Sequence, residues 1–161
     1  TALAQQLQEV NELAVLDYNY TKVGKFENSL KLNGWSIPLT KKSFLLTYAG
    51  RIQAGVDMSA MEVNMKGKKI LVSLPEVRIL NNVLDEKSIE VYDETKNIFN
   101  PISINDYKTF AAKQKERVED EAIENGLLSE AATKAQSTIR KFLQMIPEIK
   151  DDYTIEVTFK K

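Results

Sequence analysis

Carboxylates come first, because a chain with no histidine and no cysteine has few other groups with which to do chemistry. Three are candidates: Asp57 in the stretch Ala54-Gly55-Val56-Asp57-Met58-Ser59, Glu62 shortly after it, and Asp93 in Val91-Tyr92-Asp93-Glu94. Two carboxylates held about 5–10 Å apart can divide the acid, base or nucleophile roles of glycoside hydrolysis. Asp57 has a second reading. Between Gly55 and Ser59 it fits an Asx-type turn, its carboxylate accepting backbone N–H groups where one strand gives way to the next. A turn requirement suffices to account for it; a ligand or metal contact is the alternative.

The same composition removes whole classes of mechanism. Without His and Cys there is no Ser-His-Asp or Cys-His nucleophile, no usual zinc ligand set and no thiol redox chemistry. No cofactor and no metal site are expected. With 22 basic and 23 acidic residues the net charge is -1, so no global field draws in nucleic acid or an anionic surface, and any partner is recognised locally.

Other clusters reduce to structure. Lys66, Lys68 and Lys69 flank Gly67 at a hairpin tip, without the strand-to-helix setting of a phosphate loop. Glu116, Glu119, Asp120, Glu121 and Glu124 share a helix whose like charges repel and which lacks the loop oxygens that calcium needs, so a solvated face is expected. Tyr18, Tyr20, Tyr48, Tyr92, Tyr107 and Tyr153 are numerous enough to line a groove, but alternating strand tyrosines are ordinarily half-buried sheet residues.

The elements that must position these groups are legible from periodicity. Leu3, Leu7, Val10 and Ala14 trace one face of a short helix, which either packs on the sheet of its own chain or continues a coiled-coil seam. Leu16, Tyr18 and Tyr20 alternate with polar residues as a half-buried strand. Residues 24–42 read as loops around a short extended piece, with Trp35 and Ile37 tucked inward. In the next strand Phe44, Leu46, Tyr48, Ile52, Ala54 and Val56 form a core face. A hairpin follows, turning at Lys66-Gly67 and ending at Pro75; residues 76–87 are expected to form a turn or short helix before the strand Ser88-Ile89-Glu90-Val91-Tyr92-Asp93. After Pro101 the period becomes helical. Ser103 and Asp106 form a capping box over a helix with Tyr107, Phe110, Ala111, Val118 and Ala122 on its inner face. Asn125-Gly126 stops it, and Ser129 is expected to cap a second helix with Ala132, Ala135, Ile139, Phe142, Leu143 and Ile146 inward. Tyr153, Ile155, Val157 and Phe159 line one side of a last strand. The order predicts an α+β fold: an antiparallel sheet with two long C-terminal helices and a short N-terminal one packed on one face. Residues 1–161 are read as a single domain, with 1–12 as a helical lead-in.

The succession Gly50, Gly55-Val56-Asp57, Leu74-Pro75, Tyr92-Asp93 and Gly126-Leu127-Leu128 before Ala131 resembles the bacterial domain-of-unknown-function family 4230, over about residues 12 to 159. The resemblance implies a domain behind one N-terminal transmembrane segment, here outside the sequence. It transfers no activity and no catalytic residue. The expectation is therefore an extracytoplasmic binding or structural module of the cell membrane, tethered by a single span in its full-length form. Its soluble part is expected to be monomeric, its partner a protein or another cell-envelope component, and nucleic acid is excluded. Two alternatives stay open: an enzyme using carboxylate or tyrosine chemistry, with Asp57, Glu62 and Asp93 as its candidates, and an intracellular regulatory domain.

Overall fold

The computed structural model describes residues 12–160, so Leu3, Leu7 and Val10, and the helix expected there, lie outside the described residues. Ala14, the fourth residue of that stripe, is in a strand. The elements run β1 (Glu12–Asn28), β2 (Lys31–Leu32), β3 (Trp35–Ser36), β4 (Lys42–Asp57), a 3-10 turn (Met58–Ala60), β5 (Glu62–Lys66), β6 (Lys69–Leu74), β7 (Arg78–Glu94), α1 (Ile104–Glu124), α2 (Leu127–Gln144), α3 (Pro147–Lys150) and β8 (Thr154–Phe159). The fold class is α+β, with an antiparallel sheet in the order β1-β4-β7, a second sheet β5-β6-β8 and the small ribbon β2-β3. The chain forms two compact units: residues 18–52 with 82–125, and, among the described residues, 12–17 with 53–81 and 126–160.

In the unit of residues 18–52 and 82–125, the alternation of β4 decides the core. Phe44, Leu46, Tyr48 and Ile52 are all 2% exposed or less, as the period of two requires. Phe44 lies at the centre of an aromatic cluster, stacked on Phe26 at 4.8 Å and Tyr107 at 4.5 Å and meeting Phe110 edge-on at 5.1 Å. Gly24 admits this packing, since a Cβ there would overlap the Phe110 ring. Helix α1 begins at the predicted capping box: Ser103 Oγ accepts from the Asp106 N–H at 3.3 Å, and Asp106 Oδ2 accepts from the Ser103 N–H at 2.7 Å. Phe110, Val118 and Ala122 are its buried apolar positions. The same Asp106 oxygen takes the Lys42 ammonium at 2.7 Å, with both side chains about one-tenth exposed, and Lys42 also donates to the Pro101 carbonyl at 3.3 Å.

The other unit is built on β6. Its Ile70, Val72 and Leu74 pack with Val56, Val157 and, on α2, Ala135 and Ile139, each large residue contributing about 1.5–3 kcal/mol through burial. β6 pairs antiparallel with β5 around Gly67, as the sequence predicts, and parallel with β8, from Lys69↔Thr154 to Leu74↔Phe159. The parallel partner is an addition to the expected pattern; the connection through β7 and the helices is far longer than a parallel pair needs. Gly126, at φ +91°, both ends α1 and precedes the first residue of α2.

Four local expectations are corrected. Residues 76–87 are neither turn nor helix: from Arg78 onward they are the first part of β7. Their turn chemistry is absorbed inside the strand: Asp85 accepts from the Lys87 N–H, Ser88 donates to the Asp85 carbonyl, and the Ser88 hydroxyl takes the Ala49 N–H from β4. Ser129 is not the cap of α2, because left-handed Gly126 allows the helix to start at Leu127. Phe142 is 63% exposed rather than inward. Trp35 is 82% exposed and Ile37 38%, so neither is tucked in.

Asp106 loses solvation on burial, which raises its pKa, but the bonds from Lys42 and Ser103 outweigh this and hold it below the ordinary aspartate value. The depressed value means the pair stabilises above the unfolded pKa of about 4 and is lost as pH falls through the folded one. Lys42→Ala, which strands the carboxylate, is expected to cost about 3–5 kcal/mol in urea denaturation at neutral pH and visibly less near pH 3. A loss independent of pH would mean that Lys42 acts through packing alone.

Candidate functional site

The three candidate carboxylates are each engaged or dispersed. Asp57 Oδ1 accepts the Ser59 N–H at 3.0 Å and the Ser59 hydroxyl at 2.5 Å, and Oδ2 lies 3.5 Å from Arg78. The Ser59 hydroxyl, then the Ser59 N–H, and to a lesser degree the Arg78 charge, hold its pKa below the usual aspartate value. It caps the 3-10 turn that joins β4 to β5, which is the turn geometry its neighbours suggest. Glu62, at the start of β5, is paired with Lys160 at 2.6 Å. Asp93 is exposed near the end of β7, in the other unit. Among the described residues Asp57 pairs with Arg78 and Glu62 with Lys160, so these two carboxylates have different cationic partners.

The tyrosines behave as hydrogen-bond donors. Tyr20 donates to Asn82 Oδ1 at 3.0 Å, and Asn82 passes the chain on to Glu119 at 2.9 Å. Tyr48 donates to Gln114 at 2.9 Å. Burial, followed by the Glu119 charge, raises the pKa of Tyr20; burial likewise leads for Tyr48 and Tyr107, so all three stay neutral at physiological pH and none supplies a tyrosinate base. Gly50 is required beside this network, because a Cβ there would overlap the Tyr20 hydroxyl. An open groove of about 440 Å³ lies alongside, lined by Asn19, Tyr20, Gly50, Arg51 and Asp85 among others. Among the described residues no group of three or more acidic side chains is arranged to hold a metal ion.

What the unit of residues 18–52 and 82–125 does present is apolar. Leu32, Trp35, Leu39, Ile98, Phe99 and Ile104 are between 67% and 86% exposed. They are carried by three short pieces: the β2-β3 ribbon, the bend at Pro38-Leu39, and the segment leading into α1. The ribbon pairs Lys31 with Ser36 and Leu32 with Trp35, leaving Asn33-Gly34 as a two-residue loop. Both loop residues have positive φ, 50° and 86°, as a type I′ turn demands. The bend is held by the Thr40 hydroxyl donating to the Ile37 carbonyl at 2.7 Å and accepting the Leu30 N–H at 3.1 Å.

Side-chain amides tie the bend to the third piece. Asn97 Nδ2 donates to the Leu39 and Lys41 carbonyls, each at 2.9 Å, while its Oδ1 accepts from the Phe99 and Asn100 N–H groups. Asn100, itself buried, donates to the Thr40 carbonyl at 2.8 Å. Leu39 and Phe99 are thus fixed on either side of one asparagine. Leu39 also sits at φ +61°, a conformation that suits glycine in a Pro-X bend and is strained for a branched side chain. An exposed leucine held in a strained backbone, by a satisfied polar clamp, is not explained by packing, and strain of this kind collects where a surface has work to do.

These residues are missing from the carboxylate-led reading. Their signal was nonetheless in the sequence: Leu32-Asn33-Gly34-Trp35 is an Asn-Gly hairpin between apolar residues.

The chain matches the family described as Protein of unknown function (DUF4230) over residues 5–157, and it belongs to that family. No curated protein and no solved structure matches it.

Two pairs of substitutions separate structural roles from surface ones. Leu39→Gly removes the strain of the left-handed position, about 1–2 kcal/mol, against the entropy a glycine adds to the unfolded chain. Stability should stay within about 1 kcal/mol of the parent or rise, whereas Leu46→Ala should cost about 2–5 kcal/mol; a comparable loss at Leu39 would make it a packing residue. Asp57→Ala should lower the melting temperature more than Asp57→Asn, since Asn keeps the oxygen that Ser59 needs. Equal losses would assign the effect to the charge facing Arg78.

Proposed function

We propose that this member of the family is a binding module of the cell envelope, extracytoplasmic and tethered in its full-length form by a single N-terminal span, that engages its partner through Leu32, Trp35, Leu39, Ile98, Phe99 and Ile104. The observation that carries the binding role is this set of six large apolar side chains, each at least two-thirds exposed, on the β2-β3 ribbon, the Pro38-Leu39 bend and the segment running into the first residue of α1, with the bend and that segment held by side-chain hydrogen bonds. Apolar residues scattered singly over a surface need no explanation, but Leu39 and Phe99, fixed on either side of Asn97 and accompanied by four more exposed apolar residues on adjoining segments, have the character of an interaction site. The tether and the compartment are supported by the resemblance of the sequence to membrane-anchored proteins; among the described residues no helix is long and apolar enough to cross a membrane. Engaged carboxylates and neutral tyrosines favour binding over catalysis.

The test is site-specific photocrosslinking in cells carrying the full-length protein, with the reactive group at Leu39 or Phe99 and, as controls, at Thr133 or Lys134 on the exposed face of α2. Adducts are expected from the first pair alone. Equal or absent adducts at all four positions would remove the surface from consideration.

A further inference from the structure

We infer that the occupant of this apolar surface is a lipid bilayer bearing anionic headgroups, entered by Trp35, Leu39 and Phe99 and flanked by lysines. The inference rests on the binding role proposed above and specifies its partner. Three observations point to lipid. The apolar side chains stand on a hairpin and two loops instead of lining the groove beside Tyr20, and a fluid bilayer, unlike a folded partner, requires no matching cavity. Tryptophan, leucine and phenylalanine beside lysines is the residue mixture that settles at the boundary between headgroups and acyl chains.

Charge supplies the third observation. Residues 25–42 and 94–108 contain Lys25, Lys31, Lys41, Lys42, Lys96 and Lys108 against Glu27, Glu94 and Asp106, a local net charge of +3 in a chain of net charge -1. Two of the acids are neutralised in place: Asp106 by buried Lys42, and Glu27 by Lys25 at 3.0 Å and Lys41 at 2.6 Å. Exposed Lys31, next to Leu32, and Lys96, next to Asn97, have no carboxylate partner among the described residues. The basic excess is therefore local to the apolar loops, where an anionic surface would meet it.

Trp35 is the sole tryptophan of the sequence and reports directly from the proposed contact. The 161-residue chain is titrated with vesicles of phosphatidylcholine alone and of phosphatidylcholine mixed with phosphatidylglycerol. The expected result is a shift of Trp35 emission to shorter wavelength with the mixed vesicles, about tenfold or more tighter than with phosphatidylcholine and weakened by salt. The Lys31→Glu, Lys96→Glu double variant should lose that preference. The Leu39→Ser, Phe99→Ser double variant, altered only at exposed positions, should keep its circular dichroism and melting temperature yet give no shift. Absence of a shift with either vesicle would overturn the lipid assignment, as would a shift that survives Leu39→Ser, Phe99→Ser. The binding role falls separately: protein adducts at Leu39 or Phe99 in cells, with no vesicle response, would leave a protein-binding module, while no adducts at all would remove both.

Discussion

Lys42 and Asp106 must be placed together, because either charge alone would be stranded at a site where about nine-tenths of its side chain is withdrawn from water. Their pairing fixes where β4 and α1 begin in the unit they share. Asp106 serves the capping box and the ion pair with one oxygen, so the N-terminus of the helix is registered against the strand to within a hydrogen bond. The adjoining backbone is then committed too: Asn100 reaches Thr40, and Asn97 reaches Leu39 and Lys41. A buried polar junction of this kind is favourable only when complete. Here it fixes the backbone at Leu39 and Phe99, whose side chains are exposed.

That explains why the chemistry-bearing residues and the exposed surface are different residues. Two of the candidate carboxylates are occupied with structure, Asp57 shaping a turn and Glu62 joining β5 to Lys160, as is Asp106, which caps a helix; Asp93 lies exposed on β7. The buried tyrosines are donors whose protons are retained by burial. The groove beside Gly50 is lined by Asn19, Tyr20, Arg51 and Asp85 among others. The loops, in contrast, carry a strained leucine and a solvent-facing tryptophan.

Legibility in the sequence followed the number of residues that voted for each element. The core face of β4 was readable because six alternating apolar residues agree, and all of them are buried. The capping box at Ser103 and the stop at Gly126 were readable because they depend on local backbone chemistry. The second part of β7, Ser88 to Asp93, was readable as a strand, but its first part was not, since Asp85, Glu86, Lys87 and Ser88 spell a turn and pairing with β4 keeps them extended. Ser129 is a good cap residue outcompeted by a glycine three positions earlier. Trp35 is exposed although the loop reading of residues 24–42 expects it inward; the Asn33-Gly34 turn beside it was a short-range hairpin signal in the same stretch. The parallel pairing of β6 with β8 joins segments more than eighty residues apart, and no local pattern specifies it.

The partition of the chain also sets an order of assembly. One unit has all its residues once Asn125 has been made, whereas the other draws on segments as late as β8. Some 35 residues separate those points, a few seconds at about 5–20 residues per second. For that interval Ile70, Val72 and Leu74 exist without α2 or β8 to cover them, a strip of apolar strand on a nascent chain. The vulnerable moment in the biogenesis of this protein therefore belongs to the unit without the exposed loops, and a chaperone would find its substrate there, in residues that the finished molecule hides completely.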